Sequence, residues 1–335
     1  MARIAINGFG RIGRVLFKLA LNRPELEIVA INDLGKLEDL AYLLQHDLVY
    51  GDYDKEVSIK DGKLMVTAPP SPEASEGLKK EFLFLQEKDV AKLPWKNLEV
   101  DIVIEATGAF ESYEKASVHK KAGAKRVVIT APAEDEDGPD AQTVLMGINE
   151  EDLKTCSISS NGSCTTNSVA SIMQILSDKL GIKKAFLNTA HAYTTSQASV
   201  KNSSIIPSAT GAEIAVVRAI PELKDKFDGM AMRVPVQDGS LSAITFVSAR
   251  PTTREEINSI LKTAEAESRW RGIFKTTTEK LASSDIIGEP HVAVADLNLT
   301  KVIDGDLCCV YSWYDNEFGY ANSLIGHVLK VATIL

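Results

Sequence analysis

The chain has 335 residues, 44% of them hydrophobic and 25% charged, enough for two globular domains with sizeable cores. Its net charge of −9 carries the wrong sign for a nucleic-acid or membrane-surface protein, leaving room only for a local basic patch that meets a phosphorylated substrate. Four cysteines (Cys156, Cys164, Cys308 and Cys309) show neither a disulfide framework nor the CxxC spacing of a metal site, so a reducing, cytoplasmic setting and no metal are expected. The first residues enter a strand pattern at once and no apolar run approaches membrane-spanning length, the pattern of a soluble protein.

In chain order, residues 2–7 (Ala-Arg-Ile-Ala-Ile-Asn) predict a short buried strand. Gly8-Phe9-Gly10-Arg11-Ile12-Gly13 follows, then a helix through about Leu21, closed by Asn22-Arg23-Pro24, and a second strand over residues 27–33 that ends in Asp33. Strand, GxGxxG, helix, strand and acid is the order of a dinucleotide-binding unit. Gly8 permits the tight turn, Gly10 lets the backbone approach a pyrophosphate, and Gly13 allows close packing of the helix. The helix N-terminus would hold the pyrophosphate, and Asp33 would accept hydrogen bonds from the adenosine ribose and repel a 2′-phosphate, which favours NAD over NADP. A packing turn without a ligand is the plainer reading of an isolated GxGxxG.

Further along, residues 37–47 predict a helix and residues 57–66 a hairpin turning at Asp61-Gly62. Residues 68–77 are a Pro/Ser/Glu-rich loop. Residues 101–106 form a buried strand ending at Thr107-Gly108, and residues 126–129 another ending at Thr130; such strand ends line the ligand crevice of an open α/β sheet. An amphipathic helix is expected over residues 112–122, and the acidic stretch 134–140 reads as a solvated turn. The regular β/α alternation weakens near Asn149. The domain boundary is therefore placed there, with residues 1–149 binding the dinucleotide and 150–318 forming a second domain.

Ser160-Asn161-Gly162-Ser163-Cys164-Thr165-Thr166-Asn167 runs straight into an apolar-periodic helix. Cys164 should therefore sit at a helix N-terminus, where unpaired N–H groups and the dipole favour a thiolate and lower the thiol pKa. A buried structural cysteine behind an N-cap serine is the alternative. Residues 184–194 read as a strand that carries His191 and ends in the polar Tyr193-Thr194; Ser208-Ala-Thr210-Gly211 opens another helix, and Arg233 lies in a strand, where an acid partner is the ordinary expectation. A helix is expected over residues 253–267, then several strands through Tyr314 and a last apolar-periodic helix over 319–335. Many strands around few helices imply a mixed or antiparallel second sheet.

GFGRIGR at 8–14, Ile31-Asn32-Asp33, Glu105-Ala-Thr107-Gly108, SNGSCTTN at 160–167, His191-Ala-Tyr-Thr194, Ser208-Ala-Thr210-Gly211-Ala, Met230-Ala-Met-Arg233-Val-Pro and Asn316-Glu317-Phe318-Gly319-Tyr320 together make the chain resemble glyceraldehyde-3-phosphate dehydrogenases from residue 3 to its last helix. The resemblance implies a Rossmann-type NAD-binding domain and an α+β catalytic domain with a mixed, largely antiparallel sheet, the last helix packing back on the first domain. It implies a cytoplasmic homotetramer of glycolysis and gluconeogenesis that binds NAD, glyceraldehyde 3-phosphate and inorganic phosphate, with no nucleic acid, membrane or metal partner. By position, Cys164 would be the nucleophile and His191 its base. Ser163, Thr165, Thr210 and Gly211 would hold inorganic phosphate, and Thr194 and Arg233 the substrate's phosphate. Gly8, Gly10, Arg11, Ile12, Gly13, Asp33, Lys88, Thr107, Gly108, Thr130 and Asn316 would surround NAD.

Three departures from the family pattern stand out. Ser168 replaces a second cysteine four residues after the nucleophile, and Phe318 replaces a tryptophan. Between Gln197 and Ile205 only Ala-Ser-Val-Lys-Asn-Ser-Ser stands where the family has a longer, arginine-rich loop that serves phosphate binding and tetramer packing. An erythrose-4-phosphate dehydrogenase is the nearest alternative, and an NAD-binding protein without turnover is the alternative of another kind.

Overall fold

Strands that are apolar on both faces must lie between two layers of helix, which is how the amino-terminal segments sort themselves. The computed structural model describes residues 1–70, 77–193 and 203–335. Its first sheet is built from β1 (Ala2–Asn7), β2 (Leu26–Asn32), the antiparallel hairpin β5 (Glu56–Lys60) and β6 (Lys63–Ala68), β7 (Leu78–Leu85), β8 (Ile102–Glu105), β9 (Arg126–Ile129), β10 (Ala141–Thr143) and β11 (Ile158–Ser160). A two-residue pair, β3 (His46–Asp47) with β4 (Gly51–Asp52), stands apart. The order is β10-β11-β9-β8-β1-β2-β7-β6-β5, parallel from β10 to β7 and antiparallel at the β7-β6-β5 edge. The hairpin turns at Asp61 and Gly62, both with positive φ, as its Asp-Gly pair requires.

Helices flank this sheet: α1 (Arg11–Leu21), α2 (Leu37–Gln45), and the short α3 (Tyr113–Ala116) and α4 (Val118–Lys121). Four expectations need correction. The helix expected over 37–47 ends at Gln45, because His46 and Asp47 turn extended to pair with Asp52 and Gly51. The helix expected over 112–122 is broken at Ser117, whose hydroxyl donates to Glu114 O and whose carbonyl accepts from both Lys120 and Lys121 N–H. The acidic stretch 134–140 is structural: Asp135 accepts from the N–H groups of Tyr113 and Glu114, and Asp137 from Tyr113 Oη and from Thr143 N–H. The boundary at Asn149 falls inside the first sheet, since β11 inserts between β9 and β10 and carries the sheet to Ser160.

The second sheet comprises β12 (Ile182–Ala192), β13 (Ile206–Ser208), β14 (Phe227–Val234), β15 (Ser240–Ser248), β16 (Phe274–Thr277), β17 (Ala293–Asp296), β18 (Lys301–Ile303) and β19 (Leu307–Tyr314). Its order is β13-β14-β12-β15-β19-β17-β16, with β18 on β19. Only β12–β14 and β16–β17 are parallel among the described pairs, so the sheet is mixed and largely antiparallel. Helices α5 (Cys164–Leu180), α6 (Ala212–Ala219) and α7 (Arg254–Glu265) supply the apolar faces that bury one side of it, around Val169, Ile172, Leu187, Val216, Ile244 and Leu261. The last helix, α8 (Phe318–Ala332), lies against α1, and its Tyr320, Leu324, Ile325 and Val328 belong to the first domain's core.

Candidate active site

The turn after β1 meets the chain so closely that side chains are excluded. A Cβ on Gly8, at φ +99°, would lie 2.5 Å from the Ala106 carbonyl carbon, and one on Gly13 would collide with the Gly8 carbonyl oxygen. Gly10 differs: a Cβ there meets nothing within 4 Å, so this position opens outward at the start of α1, where a pyrophosphate would approach the free N–H groups. Buried Arg14 donates to Phe9 O and braces the turn from within α1. Asp33 accepts from Phe9 N–H at 2.6 Å and Gly35 N–H at 2.7 Å, which aims its carboxylate into a cavity of about 360 Å³ shared with Gly8, Gly10, Lys88 and Thr107. Beneath it, buried Glu105 accepts from Asn7 Nδ2 (2.6 Å), His119 Nε2 (2.8 Å) and Thr107 N–H (2.8 Å), fixing the ends of β1 and β8. Trp95 Nε1 donates to His119 Nδ1 at 3.0 Å, so the proton of this histidine sits on Nε2.

A second cavity, of about 310 Å³, lies on the other side of the glycine turn, lined among others by Arg11, Ile12, Thr130, Cys164, His191 and Arg233. Ser163, Thr165, Thr210 and Asn316 also reach it. The two cavities flank the start of α1 as the two ends of an extended dinucleotide would require. Gly13, Gly108 and Gly211 line neither; Gly13 packs on the Gly8 carbonyl, Gly108 (φ +71°) follows Thr107, and Gly211 (φ +62°) is the left-handed N-cap of α6. Thr194, and most of the shortened stretch between Gln197 and Ile205, lie outside the described residues.

Cys164 is the first residue of α5, behind a reciprocal capping box between Ser163 and Thr166. Its Sγ is 3.3 Å from His191 Nε2 and 4.0 Å from Thr165 Oγ1. The expected lowering of the thiol pKa is not what the site produces. Burial pushes Cys164 up to about 11, outweighing the nearby Arg233 charge and the helix terminus. Burial, with Arg233 beside it, pushes His191 down to about 4. Both shifts favour the neutral forms, thiol and imidazole, in the ligand-free pair.

His191 Nδ1 lies 2.8 Å from Ala192 O and 2.7 Å from Arg233 Nη1. A carbonyl demands Nδ1–H and a guanidinium demands a bare Nδ1, so these two partners select opposite tautomers. Arg233 thus meets a histidine and a carbonyl instead of the acid that a strand arginine ordinarily finds; its Nε is buried with no partner among the described residues. Several hydroxyls assigned to phosphate are already engaged. Ser163 Oγ accepts from Thr166 N–H, Thr165 Oγ1 pairs with Tyr314 Oη at 3.0 Å, and Thr210 Oγ1 accepts from Ala212 N–H. Arg11 is clamped between Glu317 and Asp47, which ties α1 to the start of α8.

Residues that sequence reading passed over hold this arrangement. Tyr314 Oη bridges Thr165 and Thr189, and Ser240 Oγ donates to Asn316 Oδ1 (2.7 Å) while accepting from Ala192 N–H (3.2 Å). Tyr50 Oη donates into the buried pair Asp238 and Asp315. Each joins segments far apart in the chain, so no local pattern announces it.

The family model described as "Glyceraldehyde 3-phosphate dehydrogenase, NAD binding domain" matches residues 2–113, and "Glyceraldehyde 3-phosphate dehydrogenase, C-terminal domain" matches residues 163–316. The chain belongs to the glyceraldehyde-3-phosphate dehydrogenase family. It is 44% identical to the glyceraldehyde-3-phosphate dehydrogenase of Thermotoga maritima, over 97% of each chain. It is 42% identical to glyceraldehyde-3-phosphate dehydrogenase 1 of Bacillus subtilis over 98% of each, and 41% identical to the Zymomonas mobilis protein over 99% of each. The match to the family's NAD-binding domain agrees with the glycine cradle and with Asp33: the residues present fit NAD.

Proposed function

We propose that this chain is a phosphorylating, NAD-dependent glyceraldehyde-3-phosphate dehydrogenase of glycolysis and gluconeogenesis. The observation that carries the reading is the 3.3 Å contact between Cys164 Sγ and His191 Nε2, at a helix start beside a dinucleotide cradle. In the proposed reaction Arg233 takes the substrate's phosphate, which leaves the Ala192 carbonyl to hold His191 as its Nδ1–H tautomer. His191 Nε2 then accepts the Cys164 thiol proton, and the sulfur attacks the aldehyde carbon to give a hemithioacetal. The Cys164 N–H, free at the helix N-terminus, and protonated His191 stabilise the oxyanion. His191 gives its proton to the oxyanion to complete the hemithioacetal hydroxyl, and the neutral imidazole then takes it back as the C–H hydride departs. When bound, NAD supplies the hydride acceptor at its nicotinamide ring. Inorganic phosphate attacks the resulting thioester on Cys164, releasing 1,3-bisphosphoglycerate and returning the thiolate. Gly8, Gly10, Asp33, Lys88 and Thr107 would surround the adenosine and pyrophosphate end of NAD, with Gly13 letting α1 pack on the Gly8 turn, and Arg11, Ile12, Thr130 and Asn316 would face its nicotinamide end.

We place the division between the two domains after Ser160, with α8 counted with the first. A cytoplasmic homotetramer is the assembly this reading implies. The second sheet supports association: opposite its helices, Phe186, Leu241, Ala243, Thr245, Val247, Cys309 and Tyr311 share one partly exposed face. A tetramer mass by light scattering is the expected result, and a monomer at micromolar concentration would refute it. No described helix is long and apolar enough to cross a membrane. The function is tested by following NADH formation from glyceraldehyde 3-phosphate and from erythrose 4-phosphate, each with and without inorganic phosphate. Turnover that prefers the triose and requires phosphate is expected. Rates indifferent to phosphate would overturn the phosphorylating reading.

A further inference from the structure

The segment that carries the nucleophile is gripped from outside its own domain by one face of α8. Tyr320, Ser323 and His327 stand at the i, i+3, i+7 spacing of a single helix face. Tyr320 Oη donates to Gly162 O at 2.9 Å, and Ser323 Oγ donates to Asn167 Oδ1 at 2.8 Å. His327 has no exposed surface and reaches two groups of the loop, Asn161 Oδ1 from Nδ1 at 3.2 Å and Ser159 Oγ from Nε2 at 2.7 Å. An amide oxygen can only accept, so the Asn161 contact takes the Nδ1–H tautomer and leaves Nε2 to accept from the Ser159 hydroxyl; the Val144 backbone is a further partner of the ring. The Asn161 backbone carbonyl accepts from Asn167 Nδ2 at 2.7 Å, and Gly162 follows in a left-handed conformation (φ +62°) that aims the next two residues, Ser163 and Cys164, at β12. His327 therefore fixes Asn161 just before the sharp bend that sets the sulfur opposite His191, and it does so from the helix that also meets Arg11 of the cofactor turn through Glu317.

We propose that His327 is a positioning residue for the Cys164 reaction: through its Nδ1–H···Oδ1 bond to Asn161 it holds the nucleophile loop in register with His191. The proposal rests on the reading of Cys164 as nucleophile. Its chemistry separates from simple core filling because the two ring nitrogens can be mimicked one at a time. Asparagine offers an N–H donor near the Nδ1 position and keeps the Asn161 bond, whereas glutamine reaches Ser159 and leaves Asn161 Oδ1 without its donor.

The test compares His327→Asn, His327→Gln and Asn161→Ala in the full chain, reading steady-state rates, the alkylation rate of Cys164 by iodoacetamide, NAD affinity by calorimetry and the thermal midpoint. His327→Gln and Asn161→Ala should each lose about tenfold in kcat and in alkylation rate, one hydrogen bond's worth, with KM and NAD affinity within about twofold of the wild type. His327→Asn should stay within about threefold, and the double variant Asn161→Ala/His327→Gln should be no slower than either single change. Equal losses in the Asn and Gln variants that track the thermal midpoint, or no loss in Asn161→Ala, would overturn the proposal. Should the Gln variant fail to fold, the Asn161→Ala and His327→Asn pair decides alone. Retained oxidation in Cys164→Ser would instead overturn the nucleophile reading underneath it.

Discussion

Cys164 sits where two physical effects oppose each other. The N-terminus of α5 offers a thiolate free N–H groups and a favourable dipole, an effect of about 0.3–1 kcal/mol at accessible sites. Removal of the sulfur from water costs the charged form more, and the thiol ends at about 11. At pH 7 the ligand-free thiol is therefore held largely protonated, and in the proposed reaction the thiolate forms by proton transfer to His191 Nε2. This predicts that, without cofactor or substrate, the alkylation rate of Cys164 climbs about tenfold per pH unit between pH 7 and 10. A rate already level below pH 7 would mean that a thiolate–imidazolium pair exists at rest. The Arg233 Nε that has no partner among the described residues and the two claims on His191 Nδ1 belong to the same picture, a ligand-free site whose polar groups are not all satisfied, which supports the phosphate role proposed for Arg233.

Among the elements, the glycine turn between β1 and α1 shows how one motif divides its tasks. Gly8→Ala would force an L side chain into φ +99° and against the Ala106 backbone, so the ligand-free protein should lose on the order of 3 kcal/mol in urea unfolding. Gly10→Ala meets no atom, and its unfolding free energy should stay within about 1 kcal/mol while NAD affinity falls at least about tenfold, because the new methyl stands where the pyrophosphate approaches. Similar stability losses in both variants would show that the outward opening at Gly10 is not a ligand surface. This turn was legible in the sequence because its demands are local: a fixed glycine spacing between a buried strand and an amphipathic helix. The capped start of α5 was legible for the same reason. The break at Ser117 was not, since a serine hydroxyl that captures Glu114 O leaves the apolar period of residues 112–122 untouched. Nor was the bond between Ser159 and His327, which joins positions 168 residues apart.

Across the whole molecule the titrating groups buried by folding compete, and their signs decide where stability peaks. His191 and His327 are pushed down to about 4 by burial, from an ordinary value of 6.5. Between those values the unfolded chain binds protons that the folded chain refuses, so the stability present above pH 6.5 is lost as the pH falls toward 4, at about 1.4 kcal/mol per pH unit for each histidine. Asp238 works in the opposite sense. Burial and the neighbouring Asp315 raise its pKa well above the ordinary carboxylate range, and Tyr50 Oη, with a single proton to donate, cannot satisfy both carboxylates. Above about pH 4 the folded pair keeps a proton that the unfolded chain releases, and stability falls with rising pH at about 1.4 kcal/mol per unit. Two histidines outweigh one carboxyl below pH 6.5, and above it the carboxyl acts alone, so the curve should rise to a maximum near pH 6.5 and then decline. Unfolding midpoints measured from pH 5 to 8 should trace that shape. His327→Asn should leave the acid limb nearly flat, since His191 and Asp238 then cancel, and Asp238→Asn should abolish the alkaline decline. Stability still climbing at pH 8 would mean that the Asp238–Asp315 pair is fully ionised in the folded protein, and that the proton holding Tyr50 and the start of α8 against the second sheet is not there.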